Sequence, residues 1–157
     1  MKKLLFDCGT RDATASLGIL ALRVMVGLMM LIGHGIPKIR NYNVRKEFFY
    51  VPDFFPLKWM SPPVSLMACI GAEVLASLLI VIGLATRPAA FVLGMCMVVA
   101  AFGAMGASPW FLNSPTLIET KELSLMYLIP MIAIILSGAG AWSLDATIYR
   151  EGKRRRW

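Results

Sequence analysis

Polar and apolar positions divide this chain into four long apolar blocks separated by polar or aromatic segments. The first block runs from Ala15 to Ile36 and is broken only by Arg23 and His34. The second runs from Ser65 to Leu84 and contains Glu73, the third from Pro88 to Met105 carries no charge, and the fourth from Leu123 to Trp142 contains Pro130. A helix needs about 20 apolar residues to cross a bilayer core of about 30 Å, so each block has a length suited to a span. Strands are a poor fit, because barrel strands alternate in polarity over about ten residues and these runs are continuous. The expected fold class is all-α, a four-helix transmembrane bundle formed by residues 1–157 as one membrane domain.

Between the second and third blocks only Ala85-Thr86-Arg87 remains, a connection short enough to force antiparallel neighbours. Pro88 suits the first turn of a helix, where its missing N–H is harmless. Pro130 should kink the fourth helix, and Gly138 and Gly140 should loosen its end. The segment 37–63 holds Phe48, Phe49, Tyr50, Phe54, Phe55 and Trp59 among four prolines. It is too interrupted to span, and its aromatics suit the headgroup boundary, so it reads as an interfacial loop. Trp110 and Phe111 belong on the same side.

Composition agrees with lipid as the solvent. Apolar residues make up 58% and charged residues 16%, against about 45–50% and about 25% in soluble domains. The net charge is +7, but the basic residues flank the apolar blocks, which points to anionic headgroups and away from nucleic acid. Leu4-Leu5-Phe6 is too short for the apolar core of a cleavable signal, so the first span is expected to act as its own insertion signal. With both ends in the cytoplasm, the inner side carries Lys2, Lys3, Arg11, Arg87, Arg150, Lys153, Arg154, Arg155 and Arg156. The outer side then carries Lys38, Arg40, Arg45, Lys46, Lys58 and Lys121, a nine-to-six split toward the inside. This places the protein in the inner (cytoplasmic) membrane with a basic cytoplasmic tail at 146–157. No internal repeat is evident, which counts against a small transporter.

Charges inside the apolar blocks carry the most information, since each costs about 2.5–3.5 kcal/mol at a helix centre. Aligning the span midpoints leaves Arg23 and Glu73 about 5 Å apart in depth, within reach of an arginine stem. They are expected to form a buried ion pair, either a purely structural lock or part of a quinone or proton site. His34 and Lys38 lie four residues apart on one helix face, and Glu122 opens the fourth span on the same side. These three form a candidate polar mouth for a quinone, with an ordinary interfacial cluster as the alternative. Arg87 and Asp145 are expected to staple the hairpin to the end of the fourth helix. Ala90, Gly94, Ala101 and Ala104 line one face of the third helix and favour close packing. Cys8, Cys69 and Cys96 are far apart in sequence and read as separate thiols. No metal site is called for, and the single histidine excludes bis-histidine haem ligation by one chain.

The same residues resemble the DoxX family. Leu22-Arg23-Val24-Met25-Val26-Gly27 and Gly33-His34-Gly35-Ile36-Pro37-Lys38 are similar to its opening, and Gly71-Ala72-Glu73 with Gly83-Leu84-Ala85-Thr86-Arg87 to its middle. Gly138-Ala139-Gly140-Ala141-Trp142-Ser143-Leu144-Asp145 is similar to its close. The resemblance implies a multi-pass membrane subunit of a redox system. Such systems are linked to thiosulfate–quinone oxidoreduction, a terminal quinol oxidase or oxidative-stress complexes; no cofactor motif is evident in the sequence, and quinone is the one candidate the resemblance suggests. It also leaves open a non-catalytic anchor or assembly factor for an oxidoreductase. In either case the bilayer and a protein partner, or a second copy, are the expected partners.

Overall fold

A computed structural model describes residue 9 and residues 12–112 and 120–148. Cys8 and the basic stretch from Arg150 onward lie outside them. Four long helices organise the described residues, and none of these residues forms a strand. They are α1 (Ala13–Arg40), α2 (Pro62–Ile82), α3 (Thr86–Ala104) and α4 (Lys121–Ser137). The first three are long and apolar enough to cross a membrane. α4 has 17 residues, about 25 Å of rise, and ends five residues before the expected Trp142.

Local chemistry explains the boundaries. Asp12 caps α1 by accepting a bond from Ala15 N–H at 2.8 Å. α1 runs past its expected end at Ile36 because the helix widens into a π turn over Leu31–Gly35, with Ile36 N–H reaching back five residues to Leu31. A wider turn relieves the crowding that Pro37 would impose on a regular helix. α2 opens on Pro62 and Pro63, where the first-turn amides need no partners. It stops at Gly83, left-handed at φ 75, with Gly83 N–H on Leu79 O at 2.9 Å and Leu84 N–H on the same oxygen at 3.0 Å. α4 stops at Gly138, also at positive φ, while Pro130 is accommodated inside it.

Packing sets α1 against α2 and α3 against α4. A Cβ on Gly27 would lie 2.6 Å from Val81 Cγ2 and 3.2 Å from Ser77 O; one on Gly35 would lie 2.7 Å from Val74 Cγ2. Gly27 and Gly35 therefore let α1 lie close along α2 and fix the stagger of the two helices. Ala90, Gly94 and Ala101 are buried while Ala104 is exposed, and Gly94 faces Met131 and Leu128. The small-residue stripe is thus used within the chain, against α4.

The distribution of polarity is inverted relative to a soluble protein. Arg23 and Glu73 are 0% and 2% exposed, whereas Leu17, Met25, Ile129 and Leu136 are 60% or more exposed. Apolar side chains cover the outside and charges lie inside, as lipid requires. Segment 37–63 is partly helical. It holds the end of α1, a helical turn at Tyr42–Arg45 and a 3-10 turn at Leu57–Trp59. Its aromatics Phe48, Phe54, Phe55 and Trp59 are exposed. Tyr50 anchors it, its carbonyl accepting from Ser65 Oγ at 2.7 Å and its ring lying over Gly103.

Candidate functional site

Residues from all four helices meet in the half of the bundle that carries the aromatic segment. Lys38 of α1 is ion-paired with Glu73 of α2, their side chains 16% and 3% exposed. His34 of α1 stands edge-on to Tyr127 of α4, ring centroids 5.3 Å apart, and lies within electrostatic reach of both Glu73 and Lys38. Cys69 Sγ of α2 lies 3.5 Å from Glu73 Oε1 and 3.7 Å from Cys96 Sγ of α3. Glu73 Oε2 is buried without a hydrogen-bond partner. His34 and Glu73 each sit in a π turn, Leu31–Gly35 and Ala72–Ala76, and these two turns pack against each other. A π turn inserts a residue and re-aims the side chains after it, a feature common at functional sites.

The expected Arg23–Glu73 pair does not form. Gly35 lies beside Glu73 and Val74, and Gly27 beside Ser77 and Val81, so Glu73 sits level with Gly35. Arg23 is twelve residues earlier, about 18 Å of helix rise. Aligning the midpoints of two spans of unequal length hid this stagger. Lys38, one turn beyond the level of Glu73, supplies the cation.

Arg23 binds the far end of the bundle. Its Nη1 donates to Ala139 O at 2.7 Å and its Nη2 to Trp142 O at 2.9 Å, and its guanidinium crosses over Gly83. The planar fork joins the end of α2 to the turn after α4. Asp145 staples the same regions, but through residues just before Arg87. Its Oδ1 accepts from Ala85 N–H at 2.8 Å, and its Oδ2 accepts from Thr86 N–H at 2.9 Å and Thr86 Oγ1 at 2.8 Å. These bonds hold Ala85 at φ 47, a left-handed conformation that costs a residue with a Cβ about 1–2 kcal/mol. Ser143 completes the turn, donating to Gly140 O at 2.8 Å. Ser16, at the start of α1, accepts from Ala141 N–H at 3.3 Å.

Glu122 is also placed elsewhere than expected. Its Oε2 accepts from Leu112 N–H at 3.1 Å, so it pins the segment before α4, and Glu73 is the carboxylate that joins Lys38. Cys69 and Cys96 are not separate thiols. The signal for their meeting was present: the tight connection after Gly83 folds α3 back along α2, Cys69 lies 14 residues before that glycine and Cys96 lies 13 after it. Reflection across an antiparallel hairpin brings such positions level. Tyr127, unremarked among apolar neighbours, reaches His34 because α4 closes the bundle on this side.

A model of the DoxX family matches residues 18–106, more than half of the chain. The chain belongs to the DoxX family. DoxX proteins are small membrane proteins, and the inverted polarity of this bundle agrees with that. The matched stretch contains Arg23, His34, Lys38, Cys69, Glu73 and Cys96, whereas α4 and the 138–145 turn lie beyond it. An uncharacterized protein of Haemophilus influenzae is 35% identical over 79 residues. The alignment takes in 50% of this DoxX chain and 58% of that protein, so the chain spans little more than half of the relative's length. No solved structure matches.

Proposed function

We propose that this DoxX protein is a four-span subunit of a membrane redox system, in which a quinone headgroup docks beside His34 and the Lys38–Glu73 pair. It resides in the inner membrane with both ends cytoplasmic, and it works with a protein partner that carries the electron-transfer cofactor. The observation that carries this reading is the Lys38–Glu73 pair, its carboxylate buried and its ammonium half-buried, with His34 next in sequence to Gly35, which lies beside Glu73. Ionisable groups held within a membrane are expensive and mark proton or ligand paths. The residues fit a quinone: Lys38 and His34 offer donors for a carbonyl oxygen, and Glu73 keeps a buried oxygen without a partner. Bound quinone would supply the exchange of two electrons and two protons. The chain's own part is to orient the headgroup through Lys38 and to pass protons between His34 and Glu73. The aromatic segment lies at the same end of the bundle, at the depth where such headgroups reside.

Protein purified from its native membrane in mild detergent tests this reading. Extracted quinone should approach one per chain in the wild type. His34→Ala and the charge-balanced double variant Glu73→Gln/Lys38→Met should lower it at least tenfold without lowering protein yield. Equal quinone content in wild type and both variants, with partner activity intact, replaces this reading by that of a non-catalytic anchor.

A further inference from the structure

The cluster at the middle of α2 contains more than proton chemistry requires. Cys69, Cys96 and Glu73 offer two sulfurs and a carboxylate oxygen, all within 4.8 Å of one another. We propose that these three side chains bind one divalent thiophilic cation of the zinc class. This inference does not rest on the quinone reading.

Distances support it first. A tetrahedral zinc with bonds of about 2.3 Å to sulfur and about 2.0–2.2 Å to oxygen sets S···S edges of about 3.8 Å and S···O edges of about 3.5–3.7 Å. The chain holds Cys69 Sγ 3.7 Å from Cys96 Sγ and 3.5 Å from Glu73 Oε1. Both edges that meet at Cys69 match such a tetrahedron, and the third, from Cys96 Sγ to the Glu73 carboxylate, is within 4.8 Å. A disulfide would instead need the sulfurs at about 2.05 Å, and it has no use for a carboxylate.

Charge supports it next. Two neutral thiols beside the Lys38–Glu73 pair sum to zero. Binding proceeds as M²⁺ + 2 RSH → M(SR)₂ + 2 H⁺, so the ion enters as two protons leave and the buried sum stays zero. A low-dielectric interior penalises net charge heavily, and this exchange creates none. Glu73 has capacity for the bond: Oε1, the oxygen near Cys69 Sγ, keeps a second lone pair beside the one that takes Lys38, and Oε2 is buried without a hydrogen-bond partner. Lys38 stays on the carboxylate, the kind of hydrogen bond that fixes a ligand's orientation and tunes its affinity. Among the described residues no further His, Cys, Asp or Glu joins this group. Three protein ligands leave one position for water or a bound molecule, which is the pattern of zinc sites that act on something.

The full-length protein in detergent, reduced and stripped of metal by a chelator, is titrated anaerobically with Co²⁺ and then with Zn²⁺. One Co²⁺ per chain should bind with thiolate-to-metal charge-transfer absorption and release about two protons at neutral pH, and Zn²⁺ should displace it. Cys69→Ser and Cys96→Ser should each weaken binding at least 100-fold, and Cys8→Ser should leave it unchanged. Zn²⁺ should also protect both thiols of the wild type from alkylation, which needs no variant to fold. The proposal is overturned if the reduced wild type binds no Co²⁺ and Zn²⁺ leaves alkylation unchanged. It is equally overturned if the absorption survives both serine variants or depends on Cys8. Loss of both thiols to added quinone, without metal binding, would identify an oxidisable dithiol instead.

Discussion

At the residue scale, two cations in one helix do different work. Lys38 and Glu73 neutralise each other in the cluster, whereas Arg23 bridges two backbone carbonyls at the other end of the bundle. Glu73→Gln leaves the ammonium without its counter-charge. Breaking a buried pair costs about 3–5 kcal/mol in soluble proteins, and snorkelling of Lys38 reduces that in a bilayer. The double variant Glu73→Gln/Lys38→Met should regain most of the loss, read as the fraction of protein that stays monodisperse after graded heating. Arg23→Met should be destabilising by about 3 kcal/mol, since hydrogen bonds from a charged group contribute about 1.5–3 kcal/mol each. Adding Glu73→Gln should not rescue it. Rescue there would restore the Arg23–Glu73 pairing that the stagger of α1 and α2 excludes.

At the element scale, hydropathy located the helices well and their stagger poorly. Apolar runs mark where helices can exist, because burial of charge and backbone in lipid is so costly. They carry no information on how far one helix slides along another. Here that slide is set by Gly27 and Gly35, whose missing side chains admit Val81 and Val74, and by π turns that no periodicity announces. Hence the helices, the Asp145 region and the hairpin reflection that brings Cys69 level with Cys96 were legible, while the partner of Glu73 was not. The Asp145 staple was readable because a short hairpin and a carboxylate near a helix end leave few arrangements. Gly27→Val should test the stagger. Its side chain would press on Val81 and on the Ser77 carbonyl, and overpacking of this kind costs about 1–3 kcal/mol. The expected outcome is reduced heat stability and weaker zinc protection of Cys69, since α1 carries Lys38. A variant as stable as wild type would show that α1 does not lie close to α2 at this point.

At the scale of the whole molecule, the path of the chain decides the topology. Ser16, near the start of α1, touches Ala141, just after α4. α1 therefore begins and α4 finishes at the same end of the bundle, beside the Gly83 hairpin, while segment 37–63 and Lys121 lie at the opposite end. α4 is short, about 25 Å by rise, yet it runs the length of α3 from Lys121 to the turn held by Arg23. Three of the four long helices are long and apolar enough to cross a membrane, and the four-span arrangement proposed above would put both ends of the bundle's path on one side of the bilayer. The proposed orientation rests on the nine-to-six split of basic residues in the sequence; of the nine assigned to the inner side, Arg87, beside the hairpin, is the one among the described residues. Reporter fusions at Lys3 and Arg154 should both read cytoplasmic, and one at Arg45 should read external. Ends that read on opposite sides would remove the four-span arrangement. Ends that read external, with Arg45 cytoplasmic, would keep the bundle and invert it, placing His34, Lys38 and Glu73 near the inner face.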